Sequence, residues 1–175
     1  WSKPLLANVR YNGVIKRVMF VGGGYDKCYE SGTFKLGASG QPDSTCNGKS
    51  IAQGNAVYMV DALTGARLWW ASNTGANTTN ASMTHSIVSR VSTLDRNADG
   101  LVDHIYFGDL GGNVFRADFD NANQRTAGNT TNFGVRVVRL ANLANSDQSK
   151  SPRFYEPPTL TIHDYGVDTF ILVGI

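Results

Sequence analysis

Ser89-Arg90-Val91-Ser92-Thr93-Leu94, a polar turn over residues 95–103, then His104-Ile105-Tyr106-Phe107-Gly108: this is strand, turn, strand, glycine. Both runs are short and rich in β-branched or aromatic residues, the composition that suits a half-buried pleated surface. The same pattern occurs twice more. Leu5-Leu6-Ala7-Asn8-Val9 precedes a turn at Tyr11-Asn12-Gly13 and the run Arg17-Val18-Met19-Phe20-Val21-Gly22. Thr159-Leu160-Thr161-Ile162 precedes a turn at Asp164-Tyr165-Gly166 and the run Asp168-Thr169-Phe170-Ile171-Leu172-Val173-Gly174.

The segments C-terminal to the first two hairpins repeat as well. After the second unit come Gly112-Asn113-Val114-Phe115-Arg116-Ala117-Asp118 and Val135-Arg136-Val137-Val138-Arg139-Leu140, the latter alternating like a half-exposed edge strand. After the first come Gly54-Asn55-Ala56-Val57-Tyr58-Met59-Val60-Asp61 and Ala66-Arg67-Leu68-Trp69-Trp70. The unit is therefore four strands, close to the ~40–45 residues of a propeller blade. The reading is all-β: a partial β-propeller of about two and a half four-stranded blades, a fragment of a larger propeller. The single fragment covers residues 1–175, with blade 1 near 1–71, blade 2 near 86–140 and an incomplete blade 3 near 156–175. A β-sandwich would also give short strands at regular spacing. No segment sustains a helical stripe, and residues 142–151 read as loop or a single helical turn.

Composition narrows the function classes. Charged residues are 17% of the chain and apolar ones 41%, with 19 glycines, so a core can form around tightly turned strands. Sixteen basic against fourteen acidic residues give +2 without a Lys/Arg cluster, which argues against a nucleic-acid partner. No apolar run reaches the ~18 residues of a membrane span. The opening Trp1-Ser2-Lys3-Pro4 and the closing strand-like run suggest an excised fragment. Cys28 and Cys46 sit in a polar insertion, residues 26–49, between the second and third strands of blade 1. That setting fits a disulfide stapling a loop in an exported protein rather than a zinc site.

The loop Asp95-Arg96-Asn97-Ala98-Asp99-Gly100-Leu101-Val102-Asp103 carries the chemistry. Oxygen donors fall at its positions 1, 3, 5 and 9, with Gly at 6 and a carbonyl at 7, as in the first nine positions of a calcium loop. A hard divalent cation takes six to eight oxygens, and alternate residues converge on it only if the chain bends sharply at the sixth. The expected ligands are Asp95, Asn97, Asp99 and Asp103 through side chains and Leu101 through its carbonyl. Ca2+ is favoured over magnesium, which surrenders its waters reluctantly. Position 12 is Tyr106, not the bidentate Glu of a helix-loop-helix site, so the loop is a hairpin turn. An Asp/Asn-rich turn that binds nothing would use the same residue types.

Catalytic constellations are poor. There is no nucleophile elbow, zincin motif or Walker loop, and the chain is not expected to be an enzyme. His85, His104 and His163 are scattered and read as structural or exposed, and Gly22-Gly23-Gly24 as a blade turn. Trp69-Trp70 would form a ligand platform or, the favoured reading, wedge between blades. Asn77, Asn80 and Asn129 lie in sequons that an Asn/Thr-rich composition explains by chance.

The stretch from the acidic loop through His104-Ile105-Tyr106-Phe107-Gly108-Asp109-Leu110-Gly111-Gly112-Asn113-Val114-Phe115-Arg116-Ala117-Asp118-Phe119, about 25 residues, resembles the calcium-binding blade of the PilY family. These are type IV pilus biogenesis and tip-adhesin proteins of Gram-negative bacteria, with a C-terminal propeller. The resemblance implies that calcium held by Asp95, Asn97, Asp99, Asp103 and the Leu101 carbonyl regulates pilus extension and retraction, twitching motility and adhesion. It implies minor pilins or a host surface as partners, and a fimbrial, cell-surface or outer-membrane location reached through the periplasm. No Arg-Gly-Asp is present. The string Val57-Tyr58-Met59-Val60-Asp61-Ala62-Leu63-Thr64-Gly65-Ala66-Arg67-Leu68-Trp69 also resembles blades of pyrroloquinoline-quinone dehydrogenases. Those enzymes keep a vicinal Cys-Cys disulfide, whereas Cys28 and Cys46 are 18 apart. A calcium-stabilised propeller that serves only as a binding module is the third reading.

Overall fold

The computed structural model describes residues 2–128, 132–164, 166 and 169–175, and every regular element among them is a strand or a short 3-10 turn. The first sheet runs β1 (Leu5–Tyr11), β2 (Val14–Gly22), β3 (Val57–Asp61) and β4 (Arg67–Ser72) as an antiparallel meander, with the two-residue β5 (Thr78–Thr79) added parallel to β4. The second is a four-stranded meander of β6 (Ser92–Leu94), β7 (His104–Gly108), β8 (Asn113–Phe119) and β9 (Gly134–Asn142). A separate hairpin pairs β10 (Thr159–Asp164) with β11 (Thr169–Gly174). The fold is thus all-β, in several sheets, none of them closed.

Local chemistry explains the turns. Asn12 and Gly13 both have positive φ, 54° and 82°, which matches the twist of the strands they join and sets Tyr11 opposite Val14. Between β3 and β4, Asp61 Oδ1 accepts the N–H groups of Leu63 and Thr64 at 3.0 and 3.1 Å. Within Gly22-Gly23-Gly24, β2 ends at Gly22 and the next two amides donate to Ala56 and Ile87 carbonyls at 2.7 and 3.1 Å.

Two details depart from the sequence reading and a third agrees with it. Residues 89–91 stay outside β6, because the extended segment before it bonds to loops of the first sheet: Ile87 N–H donates to Gly54 at 3.0 Å. The strand β5 had no sequence signature, since a two-residue Thr pair carries no periodicity. Residues 142–151 hold a single 3-10 turn, Gln148–Lys150, after β9 ends. The turn expected at Asp164-Tyr165-Gly166 and the first residue of the run after it, Asp168, include positions outside the described residues.

The two large sheets share one core, to which Val9, Val18, Phe20, Met59 and Trp69 contribute from one side and Ile105, Phe107, Phe115 and Phe119 from the other. Phe119 is its hub. It stacks on Phe20 with centroids 5.4 Å apart and on Phe133 at 4.7 Å, and it meets the Trp69 ring edge-on at 5.0 Å. Trp69 therefore wedges between sheets, its Nε1 donating to Thr78 Oγ1 at 2.9 Å. Trp70 points elsewhere and stacks on Tyr58 at 5.9 Å with the Arg67 guanidinium over its ring.

The segment between β2 and β3 holds the Cys28–Cys46 disulfide and two 3-10 turns, each capped by an aspartate, Asp26 or Asp43. Cys28, Tyr29, Phe34 and Cys46 form a satellite core with Val88 and Leu110, so the insertion is packed down rather than loose. The outer sheet edge at β9 is partly covered, because Thr78 Oγ1 and Asn80 Nδ2 donate to the carbonyls of Gly134 and Val137 at 3.0 and 2.8 Å. Among the described residues, no helix is long and apolar enough to cross a membrane.

Candidate metal centre

The acidic loop joins β6 to β7. Its path is fixed by side-chain oxygens accepting from its own amides. Asp95 takes the N–H of Asp99 at 3.2 Å and of Gly100 at 2.7 Å, wrapping the chain around the first carboxylate. Asn97 Oδ1 takes the Asp99 N–H at 3.2 Å, and Asp99 Oδ1 takes that of Leu101 at 2.9 Å. Asp103 Oδ2 closes the loop by accepting from Arg96 N–H at 2.9 Å. The bend needs left-handed backbone at two places: Ala98 at φ 58° and Gly100 at φ 86°. Open space surrounds Gly100, so its glycine is required by conformation rather than by crowding.

The loop is anchored below. Leu101 and Val102 are buried, and Val102 N–H donates to the Asn8 carbonyl of β1 at 2.9 Å. Asp103 sits at the end of the ladder, its N–H on the Leu94 carbonyl at 2.9 Å and its carbonyl taking Phe119 N–H at 2.8 Å. Asn121 adds a brace with no counterpart in the motif. Its Nδ2 donates to the Val102 carbonyl at 2.9 Å and reaches Asp103 Oδ1 at 3.4 Å, while its Oδ1 accepts Arg10 N–H at 2.9 Å.

Among the described residues, no three His, Cys, Asp or Glu side chains stand together as a ready-made metal-ligating group. Asp95, Asp99 and Asp103 face amides rather than one common point. Like charges repel, and each carboxylate gains more from an N–H than from a second carboxylate. The donor chemistry nonetheless fits a hard cation: four side chains and a carbonyl, all oxygen, on one tight turn. Each carboxylate keeps lone pairs beyond those its amide partners use. The cleft beside the loop, about 340 Å3, is lined by Asp99, Asp103 and Asp120 but also by Arg10, Arg96 and Arg125.

The three histidines lie apart, as their spacing implied. His85 Nδ1 is 2.5 Å from the Tyr29 hydroxyl, His104 Nδ1 is 2.8 Å from Asp118 Oδ1, and His163 lies on β10. Two of the three sequon asparagines have structural work. Asn77 Oδ1 accepts Trp70 N–H at 3.2 Å and Asn80 binds β9, while Asn129 lies outside the described residues.

Sequence reasoning passed over two buried aspartates. Asp118 holds His104, Arg116 and Arg136 together across β7, β8 and β9, with both arginine Nε atoms at 2.6 Å. Burial opposes its charge, but these three partners outweigh burial and hold its carboxyl far below the usual range. Asp109 caps the turn into β8, accepting the N–H groups of Gly111 and Asn113 at 2.9 Å each. Both lie in the stretch that runs from the acidic loop to Phe119, where a D-L-G-G-N string signals an Asp-capped turn.

Neither a protein-family profile nor a curated protein sequence matches the chain. Among solved structures, the C-terminal domain of Pseudomonas aeruginosa PilY1 matches with a TM-score of 0.59 and 20% sequence identity, over 99% of this chain and 32% of that one. The likeness is one of fold. The chain spans about a third of the length of that solved domain.

Proposed function

We propose that this chain is a calcium-binding, non-enzymatic segment of a type IV pilus biogenesis protein and part of a larger β-propeller. Its two four-stranded meanders are successive blades and the β10–β11 hairpin is the first half of a third. The observation that carries the reading is the acidic loop. Four oxygen-bearing side chains and one carbonyl occupy alternate positions of a turn bent at Ala98 and Gly100, within the all-β fold that resembles the PilY1 domain.

Asp95, Asn97, Asp99 and Asp103, with the Leu101 carbonyl, would hold the ion, which supplies the positive charge their carboxylates lack when gathered. Val102 and Asn121 then carry the ordering inward, since they bond to Asn8 and Arg10 of β1. Loop order and the seating of one sheet on the other are thereby coupled. Occupancy in this loop regulates pilus extension and retraction, twitching motility and surface adhesion. The disulfide suits a protein exported through the periplasm to the pilus or cell surface.

Calorimetric titration of the chain with calcium, with magnesium as control and Asp99→Ala alongside, tests this. The expected result is saturable one-site binding that the variant loses. Folded protein that shows neither a heat of binding nor a shift in unfolding temperature at millimolar calcium would sink the proposal.

A further inference from the structure

A second cleft lies where the disulfide-tied segment faces the chain after β9, and it shares no lining residue with the acidic loop. Its two walls are tied together. Leu36 N–H donates to Gln148 Oε1 at 2.8 Å, and Gln148 Nε2 donates back to the Leu36 carbonyl at 3.3 Å. Lys35 pairs with Asp147 at 2.8 Å, and Arg153 donates to the carbonyls of Tyr29 at 2.6 Å and Ser31 at 3.2 Å. The cleft, open to solvent on one side, has a volume of about 380 Å3, the size of a small-molecule site.

The lining carries one sign of charge. Its charged residues are Arg139 and Arg153, and no carboxylate lines it. Among the described residues, every ion pair uses other cations. Arg139 donates to Asn113 Oδ1 at 3.4 Å, and Arg153 rests on two carbonyls and the Tyr29 ring.

Polar side chains line much of the rest of the site. Burial pushes the Tyr29 hydroxyl to hold its proton, and its oxygen lies 2.5 Å from His85 Nδ1. Burial likewise lowers the proton affinity of His85, against the raising effect of the nearby Asp109 carboxylate. That ring lies against Gly111, where a Cβ would come within 2.3 Å of it. Asn142 and Asn145 spend their side-chain oxygens on the N–H groups of Ala144 at 3.1 Å and Asp147 at 2.9 Å, keeping their amide donors for a ligand.

We infer that this cleft binds a small hydroxylated oxyanion, an acidic or phosphorylated sugar. Its anionic group sits on Arg139 and Arg153, and its hydroxyls meet the amides of Asn142 and Asn145. Guanidinium forks match carboxylate and phosphate equally, so both sources share this chemistry.

Titration of the 15N-labelled chain with sodium glucuronate, glucose 6-phosphate and neutral glucose tests the site. Saturable shifts of the 142–146 amides are expected with one or both charged sugars, glucuronate alone marking a carboxylate site and glucose 6-phosphate alone a phosphate site. Glucose is expected to bind at least about tenfold more weakly. Arg139→Gln, on an exposed position of β9, is expected to weaken the charged sugars about tenfold. Asp99→Ala is expected to leave them unchanged. The proposal is overturned if neither charged sugar saturates by about 10 mM, if glucose binds as well, or if folded Arg139→Gln binds like the parent chain.

Discussion

Asn121 accepts the Arg10 N–H at 2.9 Å and, through its own amide, donates to the loop that Asp103 closes, so one side chain bridges the acidic turn and the first sheet. It is buried, as is its bond to the Val102 carbonyl, so removing it leaves that carbonyl without its partner. Asn121→Ala is expected to cost about 1–3 kcal/mol by leaving buried polar groups unpaired. Urea unfolding measures the loss, and calcium titration of the same variant should show weaker binding. A loss confined to stability would mean that the brace does not serve the loop.

Phe119 joins the two sheets through Phe20, Phe133 and Trp69. Truncation to Ala removes the shared hub and leaves a cavity, at a cost of about 3–5 kcal/mol. Thermal unfolding of Phe119→Ala checks this, with Trp70→Ala as the comparison. Trp70 lies partly exposed on the outer face, and its removal is expected to cost clearly less.

The disulfide closes a loop between residues 18 apart. Chain entropy gives it about 3 kcal/mol. Cys28→Ser with Cys46→Ser is expected to lower the unfolding temperature by about 2–4 °C per kcal/mol lost. Adding reductant to the parent chain should reproduce the shift, and an unchanged melting curve would refute the estimate.

Acid should weaken the fold through Asp118 and Asp26. For Asp26, burial opposes the charge but Lys49 at 2.6 Å and the N–H groups of Gln53 and Cys28 outweigh it, so its pKa, like that of Asp118, is lowered. A depressed folded pKa gives stability that is complete above the unfolded carboxylate value of about 4 and is lost as pH falls through the folded value. Asp118→Asn is therefore expected to be destabilised at pH 7 and to converge on the parent chain in acid. Parallel stability curves across that range would exclude the linkage.

Calcium at a hundredfold excess over its dissociation constant is expected to stabilise the chain by about 2.7 kcal/mol. Chelator should reverse the gain, and Asp99→Ala should not show it. Differential scanning calorimetry with and without calcium reads this directly.

The strands and turns were legible because their causes are local. Alternating residues of β2 and β3 bury one face, Asn12-Gly13 supplies two left-handed positions, and the acidic loop spaces its oxygens by twos around Gly100. The reading faltered where long-range partners decide. Residues 89–91 have strand composition but sit beside a segment claimed by loops of the first sheet, and β5 exists only because β4 offers an edge.

Residue order is enough to dictate an all-β chain with repeated four-strand units, one acidic turn between two strands, and a single cysteine pair in an insertion. Propensity, periodicity and turn chemistry are responsible, and they act over a few neighbouring residues. Three-dimensional packing was needed to stack Phe119 on Phe20, to tie the acidic loop to β1 through Asn121, and to turn Arg139 and Arg153 toward one cleft. Phe20 and Phe119 lie far apart in the chain, as do Arg10 and Asn121, and only the packing of sheet on sheet brings them into contact.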